Sequence, residues 1–239
     1  MIKKVTLSVS MLFLVNMAFS QGVVLEQDVN KDSIPPTFGP NLKNYGHTYI
    51  GLGWVLGQSD SAGATINMGS STDFVVGYRY KRKLSNFYAI GFDLNYGVTS
   101  FNLKQDSSKI LPNGVLHDKE KLNTNQLGLI LYNRFNFGKR GNYLGKFIDL
   151  GGYGNFTFNV KHIYKDSYVI ANSDNASVRK VVNTGLVYTN PVNYGVQARI
   201  GFNRYVFYGS YRLSDLFKSN FIYPELPRII IGFQIGMHG

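Results

Sequence analysis

Seven charged residues carry most of the chemistry this sequence could perform in an enclosed space. Arg79, Lys81, Asp93, Arg134, Asp149, Arg199 and Arg212 each stand in a run where bulky apolar residues alternate with small or polar ones. Each falls on the small, polar side of its run. Successive side chains of a strand point to opposite faces, so the shared parity puts all seven on one face of a sheet. An unpaired charge in a narrow, dry interior is costly, whereas a paired and hydrogen-bonded one is tolerated, which predicts an ionic plug. Counting along the Arg134 and Asp149 strands from the turn between them brings those two side chains together. The alternative chemistry is a cation-lined constriction for small anions. A sheet closed on about eight strands is filled by its own side chains, which favours the plug.

Other reactive types are sparse. His47, His117, His162 and His238 have no second histidine at i+2, i+3 or i+4, the spacings that would build a metal pair. The chain contains no cysteine, which removes disulfides, thiolate zinc sites, cysteine nucleophiles and iron–sulfur clusters. No cofactor and no metal are expected. Gly51-Leu52-Gly53 and Gly151-Gly152 read as interior clearance or strand bends rather than phosphate loops.

The elements that position these residues are strands of period two. Between 86 and 101 one parity carries Tyr88, Ile90, Phe92, Leu94, Tyr96 and Val98, while the other carries Ala89, Gly91, Asp93, Asn95, Gly97 and Thr99. The same pattern recurs at 50–56, 74–81, 126–137, 148–160, 192–202, 205–213 and 229–237. In 148–160 the bulky parity holds Ile148, Leu150, Phe156, Phe158 and Val160. Pro191 leaves open whether the strand before Val192 begins near Val181 and bends, or starts afresh after the proline. Connections alternate as well, short near Leu84-Ser85, 138–144 and Asn203-Arg204, and long and polar at 57–71, 103–119, 165–189 and 214–226. The prediction is an all-β fold, an eight-stranded antiparallel up-and-down transmembrane β-barrel over 46–238.

The aromatic parity faces outward on this reading. Glycines, amides and a few charges fit a small barrel, and rows of Tyr and Phe do not; against lipid those rings form the interfacial girdles. A soluble barrel would require the reverse. Composition agrees: aromatics are 15% of the 239 residues and charged residues only 16%, against about 25% in soluble proteins, which excludes global disorder. After residue 20 no apolar run reaches the ~20 residues of a membrane helix.

The N-terminus reads Met1-Ile2-Lys3-Lys4, then an apolar stretch to Phe19, and closes Ala18-Phe19-Ser20 before Gln21. Charged, apolar and small-residue parts in that order predict a cleaved signal peptide over 1–20 and export to a bacterial outer membrane. Residues 21–45, with Pro35, Pro36 and Pro40, predict an extended periplasmic arm. The basic balance, pI about 9.6, gathers at short turns in Lys81-Arg82-Lys83, Lys139-Arg140 and Arg204, which suits anionic headgroups or solvent. No nucleic-acid motif accompanies it. The expected partners are outer-membrane lipids, and proteins reached through the long loops 103–119 and 165–189.

The Ser20-Gln21 junction, the eight alternating runs, the segment Tyr211-Arg212-Leu213-Ser214-Asp215-Leu216-Phe217-Lys218 and the final run Leu226-Pro227-Arg228-Ile229-Ile230-Ile231-Gly232-Phe233 resemble the Bacteroidetes outer-membrane β-barrel family, with its small PorT-like and OmpX-like members. Many such barrels end in an aromatic; this chain ends Met237-His238-Gly239. The resemblance implies the barrel and its location, a non-enzymatic structural or partner-binding role, and as an alternative an accessory subunit of a secretion or uptake complex. A further alternative is a lipid-A-modifying barrel enzyme, for which His162 with Asp166 and Ser167 is the local set that resembles a catalytic group.

Overall fold

The computed structural model describes residues 36–58, 63–139, 141–169 and 176–237. The expected signal peptide, most of the arm and His238 lie outside the described residues. The chain divides after Pro36, and every strand belongs to the unit Thr37–Gly239.

Nine antiparallel strands form one sheet: β1 (Asn44–Leu56), β2 (Thr72–Lys83), β3 (Tyr88–Leu103), β4 (Lys119–Phe137), β5 (Lys146–Val169), β6 (Ala176–Thr184), β7 (Val192–Phe202), β8 (Tyr205–Arg212) and β9 (Ile229–Met237). Neighbours along the chain pair in turn except β6 and β7, β1 pairs β9, and β5 pairs both β4 and β7, so eight strands close a ring. The ninth, β6, pairs with β5 alone among the described residues and prolongs that strand as a hairpin beyond the ring. This settles the ambiguity at Pro191: the chain leaves β6 at Thr184, and β7 starts afresh at Val192. The proline stands just ahead of β7, where its missing N–H is harmless.

Alternation sorts the side chains as hydrocarbon outside and a packed interior require. On β4, Leu127, Leu129 and Leu131 stand 44–60% exposed, whereas Tyr132 and Arg134 between their neighbours are buried. Phe74, Tyr78, Phe156, Phe158, Tyr194, Phe207 and Ile231 continue the exposed apolar belt around the ring. The interval Leu127 to Phe137 covers ~33 Å along a strand at ~3.3 Å per residue, or ~25 Å across a membrane at the usual tilt of transmembrane strands. Above Leu127 the outward positions of β4 turn polar, as Asn125, Asn123, Lys121 and Lys119. Residues 119–125 therefore stand clear of the apolar belt.

Two interior features depart from the sequence expectation. The first is a β-bulge. Gln126 pairs with Thr157 and Asn125 with Asn159, so Phe158 is the extra residue and the phase of β5 reverses beyond it. Val160, expected on the outward face, is buried inside, and His162 follows it in. The second is that rings do stand inside. Tyr49, Tyr132, Phe147 and Tyr208 are buried in the lumen, each seated against a glycine of a neighbouring strand. A Cβ on Gly91 would lie 2.4 Å from the Tyr132 ring, and one on Gly201 would lie 2.0 Å from that of Phe147. Large and small residues complement one another across the strands, so the interior admits rings that a count of bulk alone rejects.

Apolar clusters close both mouths. At the long-loop end Val55, Phe101, Leu103, Leu122 and Val160 from the wall meet Ile66, Leu111, Phe217 and Leu226 from the loops. At the short-turn end Tyr45, Leu144, Phe147 and Val206 pack together.

Candidate functional site

Between these clusters lies a layer of charge. Arg79 on β2 stands opposite Asp93 on β3 in register, and Asp149 on β5 stands opposite both Arg134 on β4 and Arg199 on β7. All five are inward by parity and at most 1% exposed. Arg79 donates from Nε and Nη2 to the Asp93 carboxylate at 2.9–3.1 Å, and from Nη2 to Gln234 Oε1 at 2.7 Å. Arg134 grips Asp149 through Nε at 2.7 Å and Nη2 at 2.8 Å, a bidentate fork. Arg199 joins the two pairs, with Nη1 on Asp93 Oδ2 and Nε 3.1 Å from Asp149 Oδ2. The order Arg79–Asp93–Arg199–Asp149–Arg134 is thus one continuous network across the lumen.

The interior rings complete it. The Arg79 guanidinium lies 4.4 Å from the Tyr49 ring centre, Arg199 lies 4.4 Å from that of Tyr132, and Arg134 lies 3.6 Å from that of Phe147. A desolvated cation over an aromatic face gains roughly 2 kcal/mol, which helps offset the third arginine's excess charge.

The remaining two charges predicted for this face sit elsewhere. Lys81 is buried one alternation nearer the short-turn end than Arg79. Arg212 lies apart, at the long-loop end of β8, where it donates to Ser214 O at 3.0 Å, Glu225 Oε2 at 2.9 Å and Leu226 O at 2.9 Å. Glu225 Oε1 in turn accepts the Leu216 and Phe217 N–H groups, so Arg212 braces the last long loop rather than the central layer.

Three acidic groups join the interior without having been singled out by sequence. Asp73 on β2 is buried and accepts from Thr99 Oγ1 at 2.7 Å and Tyr208 OH at 3.2 Å. It stands one alternation before Val75, so the period of two was its available signal. Asp73, Asn95, Gln126, Asn155, Gln197 and Gln234 contribute to the polar wall of a cavity of about 60 Å³, room for a handful of waters. Glu225 is the second, and Glu120 the third.

Glu120 is buried on the inner face of β4 beyond the apolar belt. Its Oε1 accepts from His162 Nε2 at 2.6 Å, and its Oε2 accepts from Gln105 Nε2 at 2.8 Å and from the Lys109 ammonium. Lys109 and Gln105 belong to the loop 104–118, so the carboxylate clamps that loop over the mouth. Burial pushes the Glu120 carboxyl up; the hydrogen bonds from His162, Lys109 and Gln105 outweigh it and hold the group below its ordinary value. A lowered carboxyl stabilises the fold above its unfolded value of about 4.3 and loses that contribution as pH falls through the lower folded value. Limited proteolysis of the 104–118 loop should therefore accelerate below about pH 4, and Glu120→Gln should weaken loop closure by about 1–3 kcal/mol at neutral pH. A cleavage rate independent of both pH and the substitution would remove the clamp.

The set His162, Asp166 and Ser167 is not assembled. His162 turns inward to Glu120, Asp166 lies 2.9 Å from His117 Nδ1, and Ser167 occupies the opposite face of β5 from His162. The bulge at Phe158 turns His162 inward, and the odd spacing from 162 to 167 keeps Ser167 on the other face.

No known protein family and no curated protein matches the chain. Among solved structures, the chain is similar to Ail, the attachment invasion locus protein of Yersinia pestis, at 12% identity, over 81% of this chain and 95% of that one, with a TM-score of 0.36. A likeness of that size carries no argument about fold or function, and the barrel stands on its own strand pairing.

Proposed function

We propose that this chain is a non-enzymatic outer-membrane barrel whose sealed body is a scaffold and whose long-loop end, on the extracellular side, is the functional surface. The observation that carries this reading is closure in series. An apolar cluster, a small polar cavity, the ionic layer and a second apolar cluster follow one another along the lumen. Moving an ion through it would require breaking paired, buried charges and wetting two apolar seals, which disfavours a pore. Surrounding lipid meets the apolar belt, and proteins are met through the loops. Reconstituted in a planar bilayer, the barrel should give no stepwise current above the bare membrane. Ohmic, anion-selective steps would replace this reading with the cation-lined constriction.

A second reading, an accessory subunit of a secretion or uptake complex, is favoured by the β5–β6 hairpin, which rises beyond the ring and offers an interaction edge. A mild-detergent pull-down from outer membranes with mass spectrometry separates the two: a large partner barrel recovered in fixed ratio supports the subunit, and the chain recovered alone supports the solitary scaffold.

A further inference from the structure

The extension of β4, β5 and β6 beyond the belt carries a lysine array on its outward face. Lys119 pairs with Lys165, and Lys165 pairs with Lys180, which sets three lysines side by side on three adjacent strands. Lys121 and Lys161 share that face on the rows below, at positions opposite Ile163 and Asn123. Like charges directly opposite one another across strands are destabilising. Among the described residues none of the five forms an ion pair. The nearby acids are committed elsewhere: Glu120 and Asp166 face the other side, and Asp118, at the upper edge, accepts the Ser167 N–H at 2.6 Å. A repulsive row held on a sheet, with no ion-pair partner among the described residues, is complementary to an anion supplied from outside.

Position identifies that anion. The face continues the lipid-facing side of the wall, in line with Leu127 and Phe156. Lys161 stands three residues past Phe158, ~8 Å above the belt at the usual rise and tilt, while Lys165 stands ~18 Å above it. The headgroup zone of an ordinary phospholipid is only about 5–8 Å deep on each side. The lower row reaches its outer limit, and the upper row reaches past it, to the height of a larger headgroup. We infer that this array binds the phosphate groups of an outer-leaflet glycolipid with a phosphorylated sugar headgroup, fixing the β5–β6 hairpin against the membrane surface. The inference rests on the membrane reading above.

The test uses the full barrel in zwitterionic vesicles, with a fluorophore on Asn123→Cys, a unique label because the chain has no cysteine. Lipid A and its dephosphorylated form are the probes. Flotation with the vesicles and heat-dependent gel mobility report insertion and folding separately, so a barrel that does not insert overturns the membrane reading itself. For an inserted barrel, the phosphorylated probe should bind at least about fivefold more tightly than the dephosphorylated one, the weight of one lysine near an anionic surface, and salt should erase the difference. Lys119→Gln/Lys165→Gln/Lys180→Gln should lose that preference, while Lys43→Gln/Lys139→Gln/Lys146→Gln at the other end should keep it. Equal binding of the two probes, an unchanged preference in the first triple variant, or preference for soluble heparin over the bilayer probe would each overturn the inference.

Discussion

Replacing Asp93 by Ala should destabilise the barrel by about 3–5 kcal/mol, the cost of leaving buried charge uncompensated. Asp93 accepts from both Arg79 and Arg199, so its loss leaves Arg79 with the neutral Gln234 and no carboxylate, and leaves Arg199 with Asp149 alone. Arg79→Leu should cost less, because Asp93 keeps Arg199 as a partner and the new side chain packs against the Tyr49 ring. Urea unfolding from vesicles, followed by tryptophan emission from Trp54, gives both values. The order of the two losses is the discriminating result. If Arg79→Leu proved as costly as Asp93→Ala, the carboxylate would not be the shared hub.

Leu131→Arg should cost about 2–4 kcal/mol in bilayers, since a cation on the lipid face near the midplane meets hydrocarbon with no partner. Leu131 is 60% exposed and stands near the centre of the β4 apolar interval, flanked in register by Phe92 and Gly152. The control is Asn125→Arg on the same face at the edge of the belt, opposite the uncharged Asn159 and Val98, which should cost no more than about 1 kcal/mol. The same vesicle-based unfolding reads both. Equal small effects at the two sites would show that the belt is not where lipid lies.

Much of this architecture was legible because a strand's faces alternate without exception until a bulge intervenes. The partition of Leu129, Leu131 and Phe135 from Gly128, Tyr132 and Arg134 follows from period two alone. The Arg134–Asp149 pair also followed, since the turn between β4 and β5 sets which residues face one another. Beyond Phe158 the counting fails, because one unpaired residue exchanges inside for outside and no hydropathy signal marks it. Alternation counted straight through it puts Val160 on the wrong side and gives His162 no partner. Glu120, Lys109 and Gln105 carry no such signal for a related reason: outside the membrane both faces of a strand are polar, and alternation loses its contrast.

The linear order of residues determined that the chain forms strands, which parity meets lipid, and that seven charges share the inner parity, because those properties depend only on neighbours two positions apart. Tertiary closure alone decided which charges meet. Arg199 reaches Asp93 from 106 residues away, and Arg212 turns instead to Glu225. Such partners are chosen by the ring's stagger and by the depth at which each side chain enters the lumen, and both quantities exist only once the first and last strands have paired.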